Sequence, residues 1–531
     1  MKRDPIIVIG FDGAEHHLIE RWSEEGYLPT IASLMKRGCW GRLNSTGDIS
    51  SGSVWPTFLT GVSPARHGIF YGHRELKKGT YQIHKKYANQ IKKKPFWYWL
   101  SKAGKRIAIF DIPYTHPLKG LNGIQIVAWG AFAASWKISS WPPELIKNIV
   151  TRFGNHPLAS WYEKRLETIN EYENFYERLI SGVEKRGLIS AYLLDQEPWD
   201  FFLMAFSEAH WAGHLLWHVM DDKHPDHNPQ IAKTFRHAIR DVYSAIDSAI
   251  SKLIEVIPQA TFFIFSLDGM GANYSGKHLL PEILKKMGMM GKPAQYKKRS
   301  RLLSSTVEKI NQLMPTCRWG PNSVRKVESL IPIKLIETAK MLLPQKFWDY
   351  WTSRILYAGN EWRWSKAFCV PNEFLGAIRI NLKGREPNGL IERGMEYDTF
   401  CEELIEKLTS LVNVDSGGNA VSEVVRVDRV YQGENISELP DLIVKWVGDA
   451  PIRALYSPHV GTIRGESPDF RTGAHRPDGF LIASGKEVCK GKILEGGNIM
   501  DIAPTILYLM GQSVPQDIEG KVLIDIVEEN F

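Results

Sequence analysis

The sequence predicts an α/β protein, a three-layer α/β/α sandwich around a mostly parallel central sheet. Three observations carry this. Short uninterrupted apolar runs recur, stretches of helical periodicity alternate with them, and several runs end in a polar residue beside glycine. An apolar run without polar alternation is a strand buried on both faces, as in a parallel sheet covered by helices. In chain order the runs are IIVIGFDG (6–13), RIAIFDIP (106–113), IQIVAWG (124–130), DFFLMAFSE (200–208) and TFFIFSLDG (261–269). Helical periodicity marks 142–153, 163–193, 230–256 and 396–412. Such alternation builds a doubly wound sheet, whose ligands bind beyond the carboxyl ends of the strands. Asp12, Glu208 with His210, and Asp268 stand at those ends.

Composition narrows the class. Of 531 residues, 44% are hydrophobic and 24% charged, which is globular and excludes disorder for most of the chain. No stretch approaches the ~20 apolar residues of a membrane span. Met1–Pro5 leads straight into the first strand, too short and too quickly polar for a signal peptide. The five cysteines (39, 317, 369, 401, 489) form no CxxC pair, so a reducing, cytoplasmic setting is expected. The net charge of +7 is uneven, since residues 285–346 hold 14 Lys/Arg against 3 Glu. An excess this local does not describe a specific nucleic-acid binder. The expected organisation is a core of 1–285 and 352–531, interrupted by a basic helical insertion, 286–351, acting as a cap. That insertion could attract a polyanionic substrate or an anionic membrane surface, with Trp319, Trp348 and Trp351 available for stacking.

Five segments could carry chemistry. Asp12 in GFDGAE is a strand-end carboxylate beside glycine, suited to a metal or to capping a helix. In SSGSVWPTFLTGVSPARHGIF (50–70), Ser50, Ser51, Ser53 and Thr57 are competing hydroxyls near a helix start, where a nucleophile can be activated. In SEAHWAGHLLWH (207–218), His210 and His214 are four apart and share one helix face, as two ligands of one metal would; His218 and His224 continue the series. Asp268 follows a strand in SLDGMG, and His475 precedes one in GAHRPDGFLIASG.

Together and in this order, these segments resemble the type I phosphodiesterase / nucleotide pyrophosphatase branch of the alkaline phosphatase superfamily. The likeness runs through residues 7–38, 50–70, 96–123, 206–218, 265–271, 377–391, 439–446, 473–485 and 498–523. It implies that Asp12 is a metal ligand. The nucleophile stands nine residues before the Thr of a Thr-Gly pair, here Thr60-Gly61, which implies Ser51, with Ser50 one register away. It assigns His210, His214 and His475 to the metal facing the incoming water, and Asp12, Ser51 and Asp268 to the metal beside the nucleophile.

The chain departs from the family pattern in three places. His210 replaces an Asp, and the Asp-His-Gly turn reads Leu267-Asp268-Gly269, which removes one ligand. Glu208 and His278 are candidates to replace it. The phosphate-binding Asn three residues after the nucleophile is Val54. The resemblance implies one or two divalent ions per chain, Zn or, given the hard oxygen donors, Mn or Mg. It further implies hydrolysis of a small-molecule, glycan or nucleotide phosphodiester or pyrophosphate through a phospho-seryl intermediate. A phosphoryl or sulfuryl transferase and a non-catalytic binding member are the alternatives; the stretch around Ser51 lacks the C/S-x-P-x-R pattern of sulfatases.

Overall fold

A computed structural model describes residues 4–72, 74–131, 137–159, 161, 163–291 and 362–528. Its centre is a nine-stranded sheet. In spatial order the strands are Lys492–Asn498, Cys39–Asn44, Asp478–Ser484, Thr261–Ser266, Ile6–Phe11, Phe201–Phe206, Ile107–Phe110, Gly123–Val127 and Ser139–Trp141. The strands from Thr261–Ser266 to Gly123–Val127 are mutually parallel, and Asp478–Ser484 and Ser139–Trp141 run against them. All five predicted apolar runs are these parallel strands.

Their side chains divide by the period of two. Ile7, Ile9, Phe11, Phe202 and Met204 join one apolar core; Ile6, Val8, Phe201, Leu203 and Phe263 join the other. The first core is covered by the helices His16–Glu24, Pro29–Arg37, Ile169–Gln196, Glu208–Met220 and Ala238–Val256. The second is covered by Val54–Thr60, Trp97–Lys102 and Ile502–Leu509. This is the predicted three-layer sandwich. Each fully buried Phe or Ile of the strands contributes ~1.5–3 kcal/mol.

Caps explain where the predicted helices are trimmed. The helix expected from 163 begins at Ile169, because the Thr168 side chain caps it and Glu171 reaches back to complete a capping box. The one expected over 230–256 is two, Pro229–Phe235 and Ala238–Val256, separated by Arg236 and His237.

From the second stretch assigned to the core, the main sheet receives Asp478–Ser484 and Lys492–Asn498. Residues 367–446 instead supply a four-stranded antiparallel sheet: Ala367–Val370, Gly376–Ile380, Leu442–Trp446 and Val421–Arg426. The helices Leu280–Lys286 and Met395–Thr409 pack on it. The predicted cap lies outside the described residues from 292 onward, including Trp319, Trp348 and Trp351. Among the described residues no helix is long and apolar enough to cross a membrane.

Beyond two of the parallel strands sits a buried charge network. Arg186 donates to Asp111 (2.8 Å) and Glu208 (3.2 Å), and Glu208 also bonds the His156 ring (2.8 Å). Asp111 accepts as well from the backbone N–H groups of Trp129 and Gly130. Burial opposes the Glu208 charge, but Arg186 outweighs it and holds the carboxyl at about 2. A lost partner here leaves an uncompensated buried charge. Arg186→Met is therefore expected to destabilise the fold by about 3–5 kcal/mol in denaturant unfolding. Loss of the exposed Arg21–Glu25 pair, by Arg21→Ala, is expected to be near neutral.

Candidate active site

Neighbouring strands bring the candidate residues together. Asp12 directly follows the Ile6–Phe11 strand, and its N–H donates to the Phe206 carbonyl of the adjacent strand (3.0 Å). His210 and His214 lie on the Glu208–Met220 helix that follows that adjacent strand. Asp268 follows Thr261–Ser266 on the other side. His475 precedes Asp478–Ser484, which runs antiparallel, so its beginning lies at the carboxyl ends of the parallel set. Gly13 has φ +64°, and a Cβ there would meet the His210 backbone and ring at 3.4 Å. Glycine is what lets the chain turn past that histidine.

The three imidazoles face one another. One ring nitrogen from each of His210, His214 and His475 lies within 4.8 Å of the others. Each ring is oriented from behind. His210 Nδ1 bonds Asp12 Oδ2 (3.0 Å), and His214 Nδ1 donates to the Gly473 carbonyl (2.9 Å). His475 Nδ1 is ion-paired with Asp268 Oδ2 (3.0 Å). A carboxylate or carbonyl behind a histidine fixes its tautomer and turns its other nitrogen toward a metal. Burial keeps His214 neutral, its pKa far below the ordinary value. Burial also opposes charge on His475, but the Asp268 carboxylate lifts it to about 9. Asp268 Oδ1 is buried without a hydrogen-bond partner. Three converging imidazoles with adjacent carboxylates fit a divalent cation.

The hydroxyl loop lies beside this cluster. Ser51–Ser53 is a short 3₁₀ turn running into the Val54–Thr60 helix. Ser53 Oγ donates to the Ser50 carbonyl (2.7 Å) and lies 3.0 Å from Thr46 Oγ1. Thr46 in turn contacts Thr57, which bonds His67 Nε2 (3.1 Å). Ser50 is fully buried, its Oγ without a partner. The Ser51 Oγ donates to Glu373 Oε2 (2.5 Å), and the other oxygen of that carboxylate lies 4.0 Å from His214 Nε2.

Glu373 is the residue that the sequence reading missed. It follows an edge strand of the second sheet, in a Pro-Asn-Glu turn without periodicity or motif. The fold bolts that turn to the site. Asn372 donates to the Ile49 carbonyl (2.9 Å), and the Phe374 ring packs on His214 and His475. Arg471 then bonds both Glu373 and Glu163. Glu373 is thereby held as an anion; burial disfavours its charge, but Arg471, with His475 beyond it, outweighs that penalty.

The fold thus brings Asp12, Ser51, His210, His214, Asp268 and His475 to one edge of the sheet. Glu208, a candidate for the missing ligand, is spent in the Arg186 network instead. His278 bonds the Gly465 carbonyl (2.9 Å). His218 bonds Tyr172 and Thr472, and the His224 ring stacks on Tyr274, so neither extends the cluster. Leu267 and Val54 are both core side chains.

A parallel sheet covered on both faces, with hydroxyl, imidazole and carboxylate groups converging at its carboxyl edge, is the layout of an enzyme. The chain belongs to the type I phosphodiesterase / nucleotide pyrophosphatase family, whose profile matches residues 6–322. This is a family of phosphoester hydrolases. Over 36 residues the chain is 53% identical to the 2,3-bisphosphoglycerate-independent phosphoglycerate mutase of Shewanella frigidimarina (strain NCIMB 400). It is 58% identical over 36 residues to that of Shewanella amazonensis (strain ATCC BAA-1098 / SB2B). These matches span 7% of this chain and 7% of each mutase. Among solved structures, an inactive murine ectonucleotide pyrophosphatase / phosphodiesterase 5 in complex with AMP aligns over 99% of this chain and 100% of its own, with 12% identity and a TM-score of 0.46. The phosphonoacetate hydrolase of Sinorhizobium meliloti 1021, in complex with phosphonoformate, aligns over 97% and 96%, with 11% identity and a TM-score of 0.48.

Two predictions follow from this geometry. Purified His214→Ala and His475→Ala proteins are expected to lose bound divalent metal in elemental analysis; unchanged content in both would remove these rings from the centre. The second concerns His67, which accepts from the Ile69 N–H at Nδ1 (3.1 Å) and donates through Nε2 to Thr57. Burial pushes its pKa from 6.5 to about 3. The unfolded chain takes up that proton first, so this contribution is present above pH 6.5 and is lost as pH falls toward about 3. Denaturant titrations should show a slope approaching ~1.4 kcal/mol per pH unit from this group in that window, and His67→Gln should flatten it.

Proposed function

We propose that the protein is a divalent-metal-dependent hydrolase of phosphodiester or pyrophosphate bonds that works through a phospho-seryl intermediate on Ser51. The observation that carries this reading is the Ser51 hydroxyl. Its Oγ faces the imidazole cluster across one carboxylate, whereas the hydroxyls of Ser50, Ser53 and Thr57 are buried in the supporting loop and helix. Membership in the family supports the reaction class.

His210, His214 and His475, with Asp12 and Asp268 beside them, would hold the metal, one or two ions per chain. Nitrogen donors favour Zn, and the carboxylates make Mn or Mg the alternatives. When bound, the cation supplies Lewis-acid neutralisation of phosphoryl charge. In the first half-reaction the Ser51 Oγ–P bond forms as the bond from phosphorus to the leaving oxygen breaks, and the serine proton departs with the leaving group. In the second, water attacks phosphorus, the Oγ–P bond breaks, and a proton returns to Ser51. Substrates are small-molecule, glycan or nucleotide diesters. All four described cysteines are free thiols, in keeping with the cytoplasmic setting that forms part of this reading.

The test is turnover of an aryl phosphodiester by metal-stripped protein given Zn, Mn or Mg singly. Ser51→Ala is expected to lower kcat by on the order of 10³-fold or more. Wild-type-like turnover in that variant would move the nucleophile to Ser50 or to a water.

A further inference from the structure

Beside the metal, the proposed chemistry needs a side-chain hydrogen-bond donor for the phosphoryl oxygens. The family's asparagine position does not supply one, because Val54 is a buried core residue. The surroundings of Ser51 contain such a group. Arg471 lies one residue before Thr472, whose N–H donates to the His214 carbonyl (2.8 Å), so its main chain is pinned to the helix that carries the imidazoles. Its guanidinium is gripped along one edge by Glu163, through Nε (2.6 Å) and Nη2 (2.9 Å). This bidentate fork fixes the plane of the group. The third nitrogen, Nη1, points the other way and meets the Glu373 carboxylate.

That carboxylate makes the contacts a bound phosphoryl group would make. One oxygen receives the Ser51 Oγ proton, and the other meets Arg471 Nη1 and lies 4.0 Å from His214 Nε2. An anion that touches the nucleophile and a fixed guanidinium and stands 4.0 Å from an imidazole of the cluster marks where the substrate's anion belongs. We propose that Arg471 is the phosphoryl-binding residue of this enzyme, and that Glu373 is an internal stand-in which the substrate displaces from Arg471 and Ser51. The assignment rests on the reading of Ser51 as nucleophile. The ligand it takes is a tetrahedral oxyanion, phosphate or a phosphodiester. Glu163 stays in place as the orienting partner, and the displaced Glu373 carboxylate gives up its contacts with Ser51 and Arg471.

Two partners of one ion pair then have opposite effects, which a purely structural pair does not produce. The probe is inorganic phosphate, titrated calorimetrically into the full-length protein carrying its metal. Arg471→Gln is expected to weaken phosphate binding at least about tenfold, with Arg471→Lys intermediate because it keeps charge but loses the fork. Glu373→Gln is expected to tighten binding about three- to tenfold, since the competent state is no longer shared with an internal anion. In turnover, Glu373→Gln should lower KM more than it changes kcat. Equal weakening in both variants would overturn the proposal in favour of a structural pair. Loss of metal from Glu373→Gln would overturn it in favour of a metal ligand. Because phosphate binding needs no turnover, opposite shifts in a protein that hydrolyses no diester would sink the hydrolase reading and leave the anion site standing.

Discussion

The site depends on one topological constraint: adjacent strands that are buried on both faces can release polar groups only at their ends. Asp12, the His210–His214 helix turn and Asp268 each follow one of three neighbouring parallel strands, and His475 enters from the antiparallel fourth. With apolar cores above and below the sheet, the charges have nowhere else to go. They meet at one edge and must satisfy one another. The Asp12–His210 and Asp268–His475 pairs are the result. These pairs give buried carboxylates a polar partner and also aim the imidazoles inward, so a single set of contacts serves folding and chemistry.

The hydroxyl loop solves a different problem. A serine that is to attack must be positioned without having its own oxygen consumed by the support. Here the support uses its neighbours. Ser53, Thr46, Thr57 and His67 form a buried relay beneath the loop, and Val54 anchors the start of the helix in the apolar core. Gly52 packs against the Tyr71 backbone so closely that a Cβ would lie 2.8 Å from it, which leaves no room for another residue. Ser51 is left facing the cluster.

The changes from the family pattern form a connected set. A carboxylate is lost at position 267, a phosphate-binding amide at 54, and an aspartate becomes His210. Beside Ser51 the fold places Glu373 and Arg471, one delivered by the antiparallel sheet and the other by the segment that leads into His475. The two are ion-paired, so their charges offset each other. Arg471 is itself tethered by Glu163 from a third, remote segment. The charge arrangement around Ser51 is therefore a property of the whole molecule.

Much of this was legible in the residue order. Uninterrupted apolar runs reported the parallel strands, because burial on both faces leaves no polar alternation, and the polar residues after three of them, Asp12, His210 and Asp268, marked the site edge. The i, i+4 spacing of His210 and His214 announced a shared helix face. Other features left no local trace. Glu208 and His210 stand two residues apart on one helix, yet they face different networks, because Arg186, far away in sequence, claims the first. Ser50 and Ser51 are indistinguishable as letters; burial of one and exposure of the other to Glu373 comes from packing. Glu373 and Arg471 lie in turns without periodicity, and their positions depend on hydrogen bonds to Ile49 and His214 hundreds of residues away. Burial periodicity is a local property that residue order records directly, whereas the pairing of remote charges arises from long-range contacts that exist only once the sheet has closed.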